Sequence, residues 1–278
     1  MPHDAEYIER LRRHLADYRE RELGVPAGVW GIPAREYGHI LPPQHKKLNI
    51  VEPLRGNFWR AHAVHRWRLH RYFHHLTSSQ AFAFNLFFPL YPNLPPSFVE
   101  TRRLLDIGGS DPVAVDFEVE LSVGDGTNID VLLTDHEDRR TVIEVKLTEA
   151  AFGRARRDCH HLDKLAKTYT PLLRGRVADS VLEPAAFFRD YQLYRNLAQL
   201  RRGLDDRVVL LLPKARGRLW RFASEWCRRQ ELGTFSGLIS VVAVEDLIVA
   251  MQADARSAAI DPRAFQTVEL KYMVPPRP

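Results

Sequence analysis

The sequence predicts an α/β fold in which helices flank a mixed central β-sheet that contains an antiparallel hairpin. Residues 128–133 and 141–147 are apolar and rich in β-branched side chains, and the polar residues 135–140 between them are typical of a hairpin turn. From residue 150 to residue 253, helix-like and strand-like segments alternate, which predicts parallel strands added to that hairpin. The chain of 278 residues is long enough for one large α/β domain with a helical extension.

The elements before the hairpin are predicted to be mainly helical. Residues 4–22 have an amphipathic pattern that Gly24 stops, and a connector with Gly and Pro follows as far as residue 43. Residues 57–75 and 78–88 are predicted to form two helices, with Ser78 as the N-cap of the second. A proline-rich loop at residues 91–97 then leads to a first strand at residues 115–122.

The elements after the hairpin follow the same reasoning from periodicity. Helices are predicted at residues 150–167, 184–203, 216–230 and 245–253, and strands at residues 207–212 and 237–243. We therefore divide the chain into an N-terminal helical region of residues 1–105, packed on or continuous with the core, a core of residues 106–255, and a C-terminal extension of residues 256–278.

Charged side chains interrupt the apolar hairpin strands at Asp130, Glu144 and Lys146. Because side chains alternate along a strand, Glu144 and Lys146 share one face, and folding the hairpin brings Asp130 beside them. Charged groups in half-buried strands cost free energy unless they are paired or bind a metal. Two carboxylates and a lysine suit Mg²⁺-dependent phosphodiester hydrolysis, and the alternative is a salt bridge on the hairpin surface.

Two further acidic features bear on this cluster. Glu118 and Glu120 occupy alternate positions of the preceding strand, so alternation predicts that they share a face and that either can approach a metal. A second Glu-x-Lys, at Glu269 and Lys271, lies near the C-terminal end of the sequence with little chain after it. We expect this second triplet to have no part in catalysis.

The positive charge is distributed unevenly along the chain, whose formal net charge is +5. Between Glu52 and Glu100 there is no carboxylate, and the arginines and histidines of this stretch alternate with aromatic residues. A basic helix with aromatic side chains attracts a phosphate backbone, and the alternative is a packed helix with solvated arginines. The candidate nucleic-acid contacts are Arg66, Arg68, Arg71 and, on the next helix, Gln80.

Asp130 followed by Ile143-Glu144-Val145-Lys146 resembles the PD-(D/E)xK nuclease superfamily, with Ile129 in place of its proline. The ordered segments 78–87, 117–118, 144–149 and 191–193 are similar to a bacterial restriction endonuclease family within that superfamily. The resemblance implies a Mg²⁺-dependent endonuclease acting on DNA, in which Mn²⁺ substitutes and whose role is restriction or phage defence. A homodimer would suit cleavage of both strands.

The resemblance also implies roles for particular residues. Asp130 and Glu144 would bind the metal together with the Val145 carbonyl, and Lys146 would position the attacking water. Glu118 would be the upstream acid, and Gln192 would support the site from a helix. The competing interpretation is a catalytically inactive nucleic-acid-binding protein on the same fold.

The remaining observations concern the compartment. Two cysteines, Cys159 and Cys227, provide no disulfide framework, and the charged first residues show no secretory signal. The most apolar stretch, residues 81–91, is too short to span a bilayer. We therefore expect a cytoplasmic protein with no membrane partner.

Overall fold

A six-stranded mixed sheet forms the centre of the computed structural model, which describes residues 4–109, 111–121, 126, 128–257 and 260–275. Within these residues the strands are β1 Gly28–Trp30, β2 Arg35–Tyr37, β3 Asn93–Leu94, β4 Val113–Glu120, β5 Asn128–Thr134, β6 Arg140–Val145, β7 Arg207–Leu212 and β8 Ile239–Ala243. Strands β3 to β8 lie side by side in that order. The pairs from β3 to β6 are antiparallel, whereas β6, β7 and β8 are parallel.

Helices cover both faces of this sheet. In the described residues they are α1 Asp4–Tyr18, α2 Glu52–His65, α3 Ser79–Phe87, α4 Val99–Leu104, α5 Cys159–Lys164, α6 Thr170–Leu173, α7 Pro184–Arg189, α8 Tyr191–Ala198, α9 Gly217–Trp226, α10 Val244–Ser257 and α11 Arg263–Tyr272. Short 3₁₀ segments occupy Pro43–Asn49, Phe88–Leu90, Asp179–Leu182 and Gln230–Phe235, and π-helical turns occupy Arg19–Leu23 and Leu165–Tyr169. No helix in the described part of the chain is both long and apolar enough to cross a membrane.

Alternation along the strands divides the apolar core into two layers. Ile143 and Val145 of β6 pack in a cluster with α2, α3, α10 and α11, whereas Val142 packs in a second cluster with α8 and α9. Each parallel strand therefore buries both of its faces, which explains why the sequence of β7 is a continuous apolar run. The predicted fold class, a mixed sheet with an antiparallel hairpin and flanking helices, is confirmed. The division of the chain into three regions stays a prediction.

The hairpin that carries the acidic cluster forms as the sequence predicts. Asp135 closes its turn, because its carboxylate accepts hydrogen bonds from the backbone amides of Glu137 at 3.0 Å and Arg139 at 2.9 Å. Ser78 caps α3 by accepting from the Ala81 amide. The chain also forms the small β1–β2 hairpin within the connector, which the sequence did not predict.

The predicted helix at residues 57–75 is wrong beyond its middle. Helix α2 ends at His65, because Arg66 has a left-handed conformation with φ of 53° and its amide returns to the His62 carbonyl. Beyond this point the Gln80 side chain binds backbone groups that a continued helix would have bonded internally. It accepts a hydrogen bond from the His70 amide and donates one to the Arg68 carbonyl, both at 2.8 Å. The basic segment is therefore half helix and half irregular loop.

The helix predicted at residues 150–167 begins later than expected. Residues 146–158 are irregular, and α5 starts after Asp158, whose carboxylate accepts from the His161 amide. Hydrogen bonds between Gly153 and Gln192 hold the irregular segment against α8. Cys159, the first residue of α5, is exposed.

Helix α11 gives the second Glu-x-Lys an unexpected position. Lys271 is completely buried among α1, α2 and α3, where its ammonium donates to the Asn49 side-chain oxygen at 2.7 Å. Burial and the nearby Arg55 charge lower the pKa of Lys271 well below its usual value. Glu269, in contrast, is exposed and accepts a hydrogen bond from Gln252. In this second triplet, therefore, Lys271 belongs to the core and Glu269 to the surface.

We predict that replacing Lys271 destabilises the protein much more than replacing Glu269. Lys271→Ala should lower the free energy of unfolding by about 2–5 kcal/mol, because it leaves a cavity and an unsatisfied Asn49. Glu269→Ala should change it by less than about 0.5 kcal/mol, since its side chain is exposed. Urea unfolding measures both, and equal midpoints for the two variants would contradict the assignment of Lys271 to the core.

Candidate active site

Asp130, Glu144 and Lys146 meet where the β5–β6 ladder ends. The last registered pair is Val131 with Ile143, and the next amide of β6, that of Val145, donates to the Asp130 carboxylate at 2.9 Å. Asp130 thus replaces a backbone partner at the point where the strands diverge. The sequence prediction that the hairpin brings these three residues together is correct in geometry.

Glu144 is held from three sides. Its Oε1 accepts from Lys146 Nζ at 2.8 Å and from Gln192 Nε2 at 2.6 Å, and its Oε2 accepts from Asn196 Nδ2 at 3.0 Å. Glu144 is only 5% exposed and Lys146 only 7% exposed. The alternative of a salt bridge on the hairpin surface is therefore wrong, because α8 covers this part of the sheet.

Burial and neighbouring charges determine the ionisation of the pair. Burial raises the pKa of Glu144, but the Lys146 ammonium and the amide of Asn196 outweigh it and hold that pKa below its usual value. Burial lowers the pKa of Lys146, but the carboxylates of Glu144, Glu149 and Asp130 raise it above its usual value. The pair is consequently carboxylate and ammonium at neutral pH.

The pKa of Asp130 is shifted in the opposite direction to that of Glu144. Burial and the negative charge of Glu144 raise its pKa well above the ordinary value, although Lys146 and the Val145 amide oppose that rise. One lysine therefore does not balance the carboxylates that meet here. A cation bound between Asp130 and Glu144 would relieve the remaining repulsion.

Glu118 lies opposite Asp130 on β4, between the registered pairs of Phe117 with Val131 and Val119 with Ile129. Its φ of 52° is unusual for a residue other than glycine and costs about 1–3 kcal/mol, which the contacts around it must offset. Asn128 donates to its carboxylate at 3.3 Å. Burial raises the pKa of Glu118, and hydrogen bonds from Gln80 and Asn128 oppose that rise.

The positive φ also changes the face on which later side chains lie. Phe117 packs in one apolar cluster, whereas Val119 packs against the other, so the simple alternation is broken at Glu118. Glu118 is half-buried beside the site and Glu120 is exposed. Of the two glutamates, the structure places Glu118 near Asp130, and the expectation that both share a face stays a prediction.

Two adjoining cavities open above the acidic cluster and form one groove. One, of about 470 Å³, is lined by Asp130, Glu118 and Glu149, and the other, of about 540 Å³, is lined by Arg68, Arg71 and Arg195. His70, Gln80 and Glu118 line both. We call this the active-site groove. Of the predicted nucleic-acid contacts, Arg68, Arg71 and Gln80 line it, whereas Arg66 is exposed outside it.

Sequence reasoning missed Asn196, although a signal for it exists. Gln192 and Asn196 are four residues apart on α8, a spacing that places two amides on the same helix face. It also missed Arg216, which is completely buried and donates to the carbonyls of Leu147 at 3.0 Å and Glu149 at 2.7 Å. Nothing in the sequence around Arg216 indicates that it braces the turn after β6.

The donor set agrees with Mg²⁺. This ion is commonly held by one or two carboxylates together with water and substrate phosphate, and Asp130 and Glu144 supply two carboxylates. Each carboxylate oxygen accepts more than one partner, so Glu144 keeps capacity beside its hydrogen bonds. Throughout the described ranges, no group of three or more His, Cys, Asp or Glu side chains is arranged to hold a metal. A tightly enclosed, all-protein metal site is therefore not what these residues form.

A mixed sheet whose antiparallel hairpin presents an acid and an acid-x-lysine triplet defines a restriction-endonuclease-like protein. The chain belongs to the family described as Restriction Endonuclease associating with ARP, whose model matches residues 12–259. Searches of curated proteins and of solved structures gave no significant match. The resemblance found in the sequence is thereby confirmed at the level of a restriction endonuclease family.

We predict that the buried ion pair makes Lys146 important for stability. Lys146→Met should lower the free energy of unfolding by about 3–5 kcal/mol, because it leaves the Glu144 carboxylate buried without its cation. The double variant Lys146→Met/Glu144→Gln should recover part of that loss. Denaturant unfolding of the single and double variants measures this coupling, and a single variant as stable as the wild type would show that the pair is dispensable.

Proposed function

We propose that this protein is a Mg²⁺-dependent endonuclease that hydrolyses phosphodiester bonds in DNA, with Mn²⁺ as a substitute. The observation that carries the proposal is the buried Glu144–Lys146 pair beside Asp130, which lines a groove that Arg68, Arg71 and Arg195 also line. Family membership supports nuclease activity. A nuclease needs an anionic site for a cation and a cationic wall for phosphates, and the groove combines both.

The residues of the site have different roles in the proposed hydrolysis. Asp130 and Glu144 would hold Mg²⁺ together with the Val145 carbonyl, which follows Glu144 on the same strand. Bound Mg²⁺ supplies activation of the attacking water and charge stabilisation at the leaving oxygen. Because the pKa of Lys146 is raised, its ammonium is better suited to orienting water and phosphate oxygen by hydrogen bonds than to removing a proton.

The surrounding residues fix that arrangement. Gln192 and Asn196 hold the two Glu144 oxygens, so the carboxylate keeps one orientation when the cation arrives. Glu118 adds negative charge across from Asp130, and Gln80 positions the loop that carries Arg68. These residues act through the site's geometry.

The biological setting follows from the family. The family is described as a restriction endonuclease associating with ARP, so we propose that this chain also acts with such a partner in restriction or phage defence. A cytoplasmic location and a homodimer that cuts both strands fit this setting.

Replacement of the metal ligands provides a direct test. At a temperature where both variants are folded, Asp130→Ala and Glu144→Ala should each abolish cleavage while DNA binding persists, because the cation is lost and the arginine wall remains. Glu269→Ala, which also removes one glutamate from a Glu-x-Lys triplet, is the matched control and should cleave normally. Single-turnover cleavage by Glu144→Ala at the control rate would disprove the assignment.

Lys146 is tested by rate once its effect on stability has been accounted for. At a temperature where Lys146→Met is folded, cleavage should be about 10²- to 10⁴-fold slower than in the wild type. Lys146→Arg should not restore the rate, because a planar guanidinium has a different geometry. A folded Lys146→Met protein that cleaves at the wild-type rate would show that another group orients the water.

The arginines on the groove wall can be tested against arginines outside it. Arg68→Glu/Arg71→Glu should weaken DNA binding for all sequences and lower the salt-dependence slope by about 1.4–1.8, as expected for two lost phosphate contacts. Arg60→Glu/Arg66→Glu changes the net charge equally but lies outside the groove, so its slope should change less. Equal slopes for the two variants would mean that overall charge, and not the groove, attracts DNA.

A further inference from the structure

A third cavity, of about 670 Å³, continues the active-site groove toward the N-terminal part of the chain. It lies between α1 and the β1–β2 hairpin, and it shares His75 and Thr77 with the cavity that contains Asp130. We call it the distal cavity. The proposed chemistry at Asp130 and Glu144 makes no use of this space.

Aromatic rings connect the active-site groove with the distal cavity. His70 and Tyr72 have ring centroids 5.1 Å apart, Tyr72 and His75 lie 5.0 Å apart, and Trp30 lies 5.6 Å from Tyr72 and 6.0 Å from His75. We call these four rings the ring track. His70 and Tyr72 line the groove beside Glu118, and Trp30 lines the distal cavity. Trp30 is 43% exposed although it is the largest side-chain type.

The charges along this path change from one end to the other. Arg68 and Arg71 lie at the groove end, and the Arg71 guanidinium lies over the Tyr72 ring at 4.3 Å. In the distal cavity two arginines face two glutamates, and Arg13 pairs with Glu9 at 3.9 Å. The groove end therefore suits phosphates, whereas the distal cavity suits an uncharged, planar group.

The histidines of the distal cavity support the same division. Burial, with nearby positive charges, lowers the pKa of His39 and of His75 to about 4. Both imidazoles are uncharged at neutral pH, so they offer ring faces and hydrogen-bonding nitrogens. Tyr37 adds a further ring on this wall, 5.8 Å from His39.

We propose that the ring track binds an unpaired strand of the nucleic-acid substrate, with its bases on Tyr72 and Trp30 and one base in the distal cavity. Aromatic side chains next to cations form the usual platform for single strands, because every base has a face that stacks. In a duplex those faces are covered by neighbouring bases. The inference rests on the proposed function, and it specifies the substrate as DNA with a single-stranded segment beside the cleaved phosphate.

Binding without cleavage provides the test. Wild-type protein in EDTA is titrated, by fluorescence anisotropy, into a single strand, a blunt duplex of the same sequence and a duplex with a single-stranded overhang. Trp30→Ala and Tyr72→Ala should each weaken binding of the single strand and the overhang roughly 5- to 100-fold, while blunt-duplex affinity changes by less than about twofold. Trp30→Phe, which keeps a ring, should recover most of the affinity.

Val29→Ala is the matched control, because Val29 neighbours Trp30 on β1, is 56% exposed and lines neither cavity. It should bind all three DNAs like the wild type. Unchanged single-strand affinity in Trp30→Ala and Tyr72→Ala would overturn the proposal that the ring track binds an unpaired strand. An equal loss of affinity for the blunt duplex would also overturn it, because it would show that these rings contact duplex DNA. Thermal midpoints equal to the wild type exclude unfolding as the cause.

Cleavage in Mg²⁺ separates this inference from the proposed function. If the wild type cuts DNA but the ring variants bind single strands normally, the ring track is wrong and the nuclease proposal stands. If the ring variants lose single-strand binding but the wild type cuts none of the three DNAs, the nuclease proposal is wrong and the strand-binding surface remains.

Discussion

The buried ion pair between Glu144 and Lys146 is the interaction on which the arrangement of the site depends. Burying a carboxylate and an ammonium is costly, and the attraction between them repays that cost only when their remaining hydrogen-bonding capacity is satisfied. Here Gln192 and Asn196 each donate to one oxygen of Glu144, and Oε2 keeps room for a further partner. Helix α8 is therefore tied to the sheet by polar contacts, in addition to the apolar packing around Leu193.

The backbone beneath this pair is equally constrained. The Lys146 amide donates to the Leu211 carbonyl of β7 at 2.8 Å, which extends the parallel pairing past the end of β6. The Glu149 carboxylate accepts from the amides of Leu147 at 2.8 Å and Thr148 at 3.0 Å, and Arg216 binds the carbonyls on the same turn. The turn after β6 is thus fixed by charged groups, whereas Asp130 lines the open groove, where the proposed function places the cation and the phosphate.

Sequence patterns predicted the sheet because its signals are local. An uninterrupted run of valines and leucines identified β7 from Arg207 to Leu212, and strand alternation placed Glu144 and Lys146 on one face. The end of α2 at Arg66 was not predictable, because it depends on Gln80, which is distant in sequence and occupies the backbone groups of the following loop. The contact of Asn196 with Glu144 and the burial of Lys271 beside Asn49 were not predicted, because each depends on a partner from a remote segment. Tertiary contacts therefore determined the structural features that local sequence patterns could not predict.

Incubation of the purified protein with plasmid and with single-stranded DNA, in Mg²⁺, in Mn²⁺ and in EDTA, tests directly whether the site works through a cation. A carboxylate site that works through a cation predicts cleavage with either metal and intact DNA in EDTA. Cleavage that persists in EDTA would contradict the metal-dependent site built on Asp130 and Glu144. Intact DNA under all three conditions, from protein shown to be folded and to bind DNA, would instead support an inactive nucleic-acid-binding protein on this fold.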